Sequence, residues 1–452
     1  MRTLTKTATD ARDRYLDAFR TFEAMQPQNG DGISWLRELR TTASRRFEEL
    51  GFPTTRDEEW KYTDISPIAN LIGSPADAAQ VQGLSASDVE PFTLQGLDAL
   101  RLVFVNGHYA EALSSVGTLP KGVVLSSLAA AIRSDSPVVR SHLAQYASFE
   151  NHTFVALNTA FFQDGAFLYV PDNTVVETPI QLLFITTSGE TATIAHPRNL
   201  IVAGANSQVT LVESYVSTGQ GTYFNNPVTE VVVNKNATFR HHKVQLESEQ
   251  AYHIATMQVQ QARDCQFASL AVSFGGSIAR YDANAVMADQ GIECTLNGVY
   301  LVAGQQHIDN HTVMDHAQPH CNSHENYAGI LDGQARGVFN GKIFVREDAQ
   351  KTDAKQSNRN LLLSPNAVIN TKPQLEIFAD DVKCTHGATI GQLDEDAIFY
   401  LRARGIDKEE ARDMLVHAFA SDLLTDIQIE PLRQQLEQEL HTRLARNRQI
   451  RE

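Results

Sequence analysis

The chain has 452 residues, 42% of them hydrophobic and 20% charged, so it has enough apolar surface to bury a core and is not a disordered chain. Its formal net charge of −16 works against nonspecific binding to nucleic acid or to an anionic membrane. No apolar run approaches the roughly 20 residues that span a bilayer, the N-terminus has no hydrophobic signal core, and Asp10, Asp13 and Asp17 argue against a transit peptide, which together predict a cytosolic protein.

The length exceeds one ordinary compact domain, and the pattern divides into three parts: an N-terminal helical or mixed domain over 1–150, a β-rich core over 151–392 and a C-terminal helical domain over 393–452. Residues 1–50 predict two amphipathic helices. The first carries Tyr15, Leu16, Phe19 and Phe22 on one stripe; the second starts at Ser34 as N-cap, places Leu36, Leu39, Ala43, Phe47 and Leu50 at helical spacing, and stops at Gly51 and Pro53. The segment RDEEWKYTDISPI at 56–68 reads either as a binding loop or as an irregular stretch whose Trp60 and Tyr62 anchor it to the body. Beyond it the signals are mixed, with a turn-rich stretch at Gly73–Asp77 and a strand at Leu102–Val105.

From about 152 onward short apolar segments bounded by Gly, Asn, Asp or Pro predict strands without intervening long helices, which disfavours a doubly wound sheet. Turn-then-strand units begin at 204, 234, 262 and 289. A drifting period of this kind predicts a β-helix whose turns stack on one another, with a β-sandwich as the alternative. Pro365-Asn366 and Lys372-Pro373 read as turns.

Residues 307–324 hold His307, His311, His316, His320 and His324 with Asp309, Asp315 and Cys321. Imidazole and carboxylate suit zinc or iron, but Pro319 breaks a helix and the mixed odd and even spacings do not share one face of a strand. Polar rungs compete with a metal site here. Cys265, Cys294, Cys321 and Cys384 form no Cys-x-x-Cys pair, and three of the four are expected to be buried small hydrophobes.

Cys384 and His386, at i and i+2 of an extended segment, point to one face with α-carbons about 6.5 Å apart. Thiolate and imidazole are good ligands for zinc or iron, yet two ligands do not complete a site, and iron–sulfur clusters usually take four. A purely structural pair is one competing reading, and a cysteine nucleophile with His386 as base is another, with no third orienting group nominated. After this pair, Asp394 predicts a helix cap, and Asp407 with Glu410 predicts a second helix start. Ala411, Met414, Leu415, Ala418 and Phe419 are expected to form one apolar face, and Leu432, Leu436, Leu440 and Leu444 a packing stripe. Arg443, Arg446, Arg448 and Arg451 read as a solvated helix end. No G-x-x-x-x-G-K-[ST] loop or G-x-S-x-G elbow is present, so no ATP hydrolysis is expected of this chain.

The segments EEWKYTD at 58–64, DNHTVMDHAQPHCNSHENYAGILDG at 309–333 and QSNRNLLLSPNAVINTKPQLEIFADDVKCTHGATIGQLDEDAIFYLRARGI at 356–406 closely resemble the SufB/SufD family of iron–sulfur cluster assembly proteins, with KCTHGAT and overall length nearer its SufD branch. That resemblance implies a right-handed β-helix core flanked by N-terminal and C-terminal helical regions. It implies pairing with SufB through the β-helix, docking of the ATPase SufC around Phe399, Tyr400, Arg402, Arg404 and Gly405, and a nascent-cluster site shared with SufB at Cys384 and His386. The cargo would be a transient iron–sulfur cluster or iron at the SufB interface, with no ATP bound by this chain and a homodimer as an open alternative to the SufB pair. Two readings from other classes compete: a stand-alone metal-binding protein using the His-rich run, and a β-helix carbohydrate-active enzyme, against which the missing secretion signal counts.

Overall fold

The computed structural model describes residues 2–25, 34–75, 83–187, 189 and 191–451. Its body is a β-solenoid of about seven turns flanked by helices. The winding is set at the corners. Asn173, Asn206, Asn236, Asp264, His320 and Lys351 all take φ between 54° and 63°, the left-handed region that Asn and Asp tolerate best. At Gly291 (φ 73°) an added Cβ would stand 2.2 Å from Asp264 Oδ1, so a side chain here would have to displace that carboxylate as well as take a left-handed backbone. Side-chain amides reinforce the stack, Asn206 Nδ2 donating to Asn173 Oδ1 at 2.8 Å and Asn236 Nδ2 to Asn206 Oδ1 at 3.1 Å.

Successive strands alternate between two parallel sheets, which among the described residues hold twelve and ten strands. In the ten-stranded sheet Gln208 pairs with Thr238, Thr238 with Gln266 and Gln266 with Glu293; these offsets reproduce the sequence period. Parallel strands need a long connection, and here each connection contains a strand of the opposite sheet. Inward side chains fill the lumen with Leu211, Phe239, Phe267, Met257 and Met287. Further along, Tyr327 lies where a side chain on Gly298 would go and Tyr300 where one on Gly329 would go.

The N-terminal helices Arg2–Met25 and Ser34–Leu50 lay Tyr15, Phe19, Phe22 and Phe47 against Phe154, Phe161, Phe224 and Ile254, on the outside of the twelve-stranded sheet. The strand Leu100–Val105 pairs with Ile180–Thr186 and so joins the ten-stranded sheet. A helix at Thr153–Phe161 is absent from the sequence expectations: Phe154 through Phe161 are all buried, and a short helix covered on every side has no apolar periodicity to read.

At the other end, Asp394 and Asp407 cap the helices Glu395–Ala403 and Lys408–Leu424 by accepting from backbone N–H groups, as their side chains predict. The first of these ends near Gly405 at φ 89°. The helix Glu430–Arg451 buries Leu432, Leu436, Leu440 and Leu444 in a cluster with Phe274, Val299, Val416 and Leu423, on the outside of the ten-stranded sheet. Arg443 pairs with Glu439 and donates to Phe274 O, and Arg446 pairs with Glu249; the side chains of Arg448 and Arg451 lie outside the described residues.

Three expectations are corrected. Lys372 and Pro373 are not a turn but lie within the strand Val368–Ile377, where proline is tolerated because this is the edge strand of its sheet. Gly73–Pro75 is a strand paired with Ala192–Ile194, and an added Cβ on Gly73 would meet Ala192 O at 2.6 Å; Ala76 and Asp77 of the expected turn lie outside the described residues. In Lys408–Leu424 the buried face is Ala411, Val416, Ala420, Leu423 and Leu424, with Met414 46% exposed and Ala418 exposed. Two apolar stripes overlap in this helix, and the longer one, which continues to Leu424, packs on the solenoid.

Candidate functional site at the open end of the solenoid

The two ends of the solenoid are finished differently. At the N-terminal end the outer strands are short and antiparallel, Val124–Ser127 on Ala166–Val170 and His108–Tyr109 on Leu100–Val105. At the C-terminal end Val368–Ile377 and Lys383–Gly391 are the last strands of their sheets, and Lys383–Gly391 is exposed along nearly its whole length. Ile377, Phe378 and Ile390 are 38%, 59% and 52% exposed. An uncovered edge strand offers unpaired N–H and C=O groups to another strand, and here it also offers apolar side chains.

Cys384 and His386 stand on this last strand. Cys384 is in register with Ala354 and His386 with Gln356, so both belong to columns that run inward along the lumen face. Cys384 is half-buried against Ile343, Val345 and Ala354. Burial pushes its thiol up, and Asp353 nearby adds to the effect. It is therefore a thiol rather than a ready thiolate until a cation reaches it, which argues against the cysteine-nucleophile reading. His386 is exposed. The other three cysteines are buried, and burial holds Cys265 and Cys294 up at about 12, inert as nucleophiles.

The lumen behind the open end carries charge that the sequence did not announce. Glu213 Oε2 lies 3.1 Å from His241 Nε2, Glu247 Oε2 lies 2.7 Å from His253 Nδ1, and Lys243 Nζ lies 2.9 Å from His253 Nε2. Burial brings Lys243 down to about 8, against the pull of Glu213 and Glu247, and its ammonium sits 5.1 and 4.9 Å from the rings of Tyr215 and Tyr281. Closer to the open end Glu325 accepts from Thr312 and, at 2.7 Å, from Gln356. Burial raises its carboxyl to about 7. Glu213 meets His241 and Glu325 meets Gln356 across a register offset of about one solenoid turn, whereas Lys243–His253 and Thr312–Glu325 bridge the two sheets between successive strands; no short motif spells out either.

The His-rich run is divided by strand alternation. His307, Asp309 and His311 point outward from the strand His307–His316 to meet the 58–64 segment: Thr63 Oγ1 donates to Asp309 Oδ2 at 2.6 Å and lies 2.8 Å from His307 Nε2, while His311 Nδ1 stands 3.3 Å from Glu59 Oε2. Arg280 completes this latch, bonding Asp282 and Asp309 and the Glu59 carbonyl with its guanidinium 3.8 Å from the Trp60 ring. His316 turns the other way, its Nε2 2.9 Å from Ser323 Oγ in the lumen. Among the described residues no group of three or more His, Cys, Asp or Glu side chains is placed to hold a metal ion. Of the two readings of 56–68, the geometry displays the anchoring one at Trp60, which packs on Phe154 and under the Arg280 guanidinium, but not at Tyr62, which is 43% exposed. A groove of about 610 Å³ runs beside the latch, and its Asp282, Asp315 and Lys342 are paired with Arg280, Arg346 and Glu376.

On the C-terminal helices Phe399 and Tyr400 are 72% and 57% exposed, and Arg402, Arg404 and Gly405 are exposed with them. Arg404 Nη2 donates to Tyr400 Oη at 2.7 Å and lies over its ring. This surface and the Cys384–His386 strand are joined by the short link Gln392–Asp394, so the structure brings the expected site residues to two adjoining exposed surfaces. Among the described residues no helix is long and apolar enough to cross a membrane.

The solenoid thus ends in short antiparallel strands on one side and, on the other, in an exposed last strand that carries a thiol and an imidazole, with helices along its flanks. Residues 9–182 match the family described as SufBD protein N-terminal region, and residues 184–419 match SUF system FeS cluster assembly, SufBD core domain. The chain is 36% identical over 434 residues to an iron–sulfur cluster assembly SufBD family protein of Synechocystis, covering 94% of each chain. It is 32% identical over 399 residues to the iron–sulfur cluster assembly protein SufD of Escherichia coli, covering 87% of this chain and 90% of that one, and 28% identical over 412 residues to SufD of Bacillus subtilis, covering 89% and 92%. The chain belongs to the SufBD family and is a component of the SUF iron–sulfur cluster assembly system.

Proposed function

We propose that the chain is a cytosolic scaffold subunit without catalysis of its own, pairing with SufB across the open solenoid end and with the ATPase SufC through the C-terminal helices. Cys384 and His386 then supply half of a site at which iron or a nascent cluster is held as cargo, and SufB supplies the rest. The observation that carries this reading is the uncovered last turn: it combines two unpaired strand edges, exposed Ile377, Phe378 and Ile390, and a thiol beside an imidazole. A pair of ligands that is inadequate alone is sensible at an interface. The absence of a phosphate-binding loop fits hydrolysis carried by a partner.

The link Gln392–Asp394 gives this arrangement a mechanical consequence. Movement of the helix Glu395–Ala403 by an ATP-driven partner would pull on the strand that bears Cys384 and His386, opening or straining the cargo site. Hydrogen exchange on the chain mixed with SufB and then with SufC tests both contacts. Protection is expected over 368–391 with SufB and over 395–414 with SufC; protection confined to the N-terminal helices would contradict the assignment.

A further inference from the structure

Gln356 lies one turn inside the open end, in register with His386 on one side and Glu325 on the other. In a parallel ladder such neighbours stand about 4.8 Å apart with side chains on the same face. The Gln356 amide is held: Nε2 donates to Glu325 Oε2 at 2.7 Å, and Glu325 is itself fixed by Thr312. Room for the amide comes from Gly341, where an added Cβ would stand 2.2 Å from Gln356 Nε2. The far end of the amide is free, since the buried Oε1 has no hydrogen-bond partner among the described residues. A buried acceptor left unpaired costs about 1–3 kcal/mol, and the side chain stacked on its outer side is His386.

We propose that Gln356, held in place by Glu325, is a positioning residue for His386: its free carbonyl oxygen takes one imidazole N–H, which leaves the lone pair of the other ring nitrogen facing the cargo. A neutral imidazole carries one N–H and one lone pair, and the bond made by the first decides where the second points. Histidines that bind metals are generally oriented through their second nitrogen in this way. Burial keeps the Glu325 carboxyl high, at about 7, yet it presents an acceptor oxygen to Gln356 whether protonated or not, so the amide keeps its orientation across neutral pH. This inference rests on the reading of His386 as a cargo-facing group.

The test is heteronuclear NMR of the full chain labelled at histidine nitrogens, with His386 assigned by its loss in His386→Ala. One tautomer is expected to dominate in the wild type, two to mix in Gln356→Met, and the first to return in Gln356→Glu, which retains an acceptor oxygen. In the complex reconstituted with SufB and SufC, Gln356→Met should lower cluster yield by roughly tenfold or more. Should Gln356→Met not fold, Glu325→Leu and Glu325→Gln make the same comparison, the first releasing the tautomer and the second holding it. A tautomer unchanged by loss of the amide, or not restored by Gln356→Glu, overturns the inference. Full cluster assembly in His386→Ala would instead remove the underlying reading, whatever the tautomer does.

Discussion

At the scale of single residues, a few side chains take their chemistry from their neighbours. His386 is exposed, so His386→Ala should leave the fold intact, at a cost no greater than the about 1–3 kcal/mol of an unpaired acceptor, while lowering iron and sulfide recovered in the complex. Glu325 behaves in the opposite way. Its carboxyl is raised from 4.5 to about 7, so folding is favoured while the proton is held and loses roughly 3 kcal/mol as pH rises from about 4.5 through 7. Glu325→Gln should remove that loss, making the variant the more stable protein at alkaline pH in denaturant titrations. A wild type whose stability is flat over this interval would contradict the burial argument. The Cys384–His386 pair was legible because strand alternation alone puts i and i+2 on one face. Glu325 and Gln356 were not, since their meeting depends on the register between turns, which one sequence reveals only as a drifting period.

At the scale of elements, the segment 58–64 is held by charge. Burial and Arg280 would lower His311, but Asp309 and Glu59 outweigh them and raise it. Its bond to His311 takes Glu59 down to about 2, and Asp309, opposed by burial, is lowered by His311 and Arg280. The His311 contribution is complete below its ordinary 6.5 and is lost as pH rises through the raised value; the carboxylate contribution is complete above the ordinary 4.5 of Glu59 and is lost toward about 2. The latch is thus tightest between about 4.5 and 6.5. Hydrogen exchange over 58–64 should quicken as pH rises past that window beyond its ordinary base-catalysed trend, and His311→Asn should abolish the excess. For the last helix, Leu436 is fully buried, and Leu436→Ala should cost about 2–5 kcal/mol by denaturant unfolding. Helix ends were well marked by Asp394, Asp407 and Gly405, whereas the buried face of Lys408–Leu424 was not, because two overlapping stripes can be told apart only by what packs on them.

At the scale of the whole molecule, the solenoid was foreshadowed by its recurring turns, and the family motifs agreed with it. What the pattern left out is that one end is closed and the other open. Alternating apolar residues announce a strand whether or not anything lies beyond its edge, so exposure of Ile377, Phe378 and Ile390 is visible only in three dimensions. Phe378→Lys with Ile390→Lys should abolish association with SufB while leaving the melting temperature within a few degrees of wild type, by size-exclusion chromatography and calorimetry. Unchanged association would place the contact elsewhere. The most direct test of the central claim is iron and sulfide content of the complex assembled anaerobically with SufB and SufC, measured for wild type and His386→Ala after chromatography has shown the same subunit composition. A cluster in the wild type and its loss from the intact variant complex is the predicted result; equal iron and sulfide in both would contradict it.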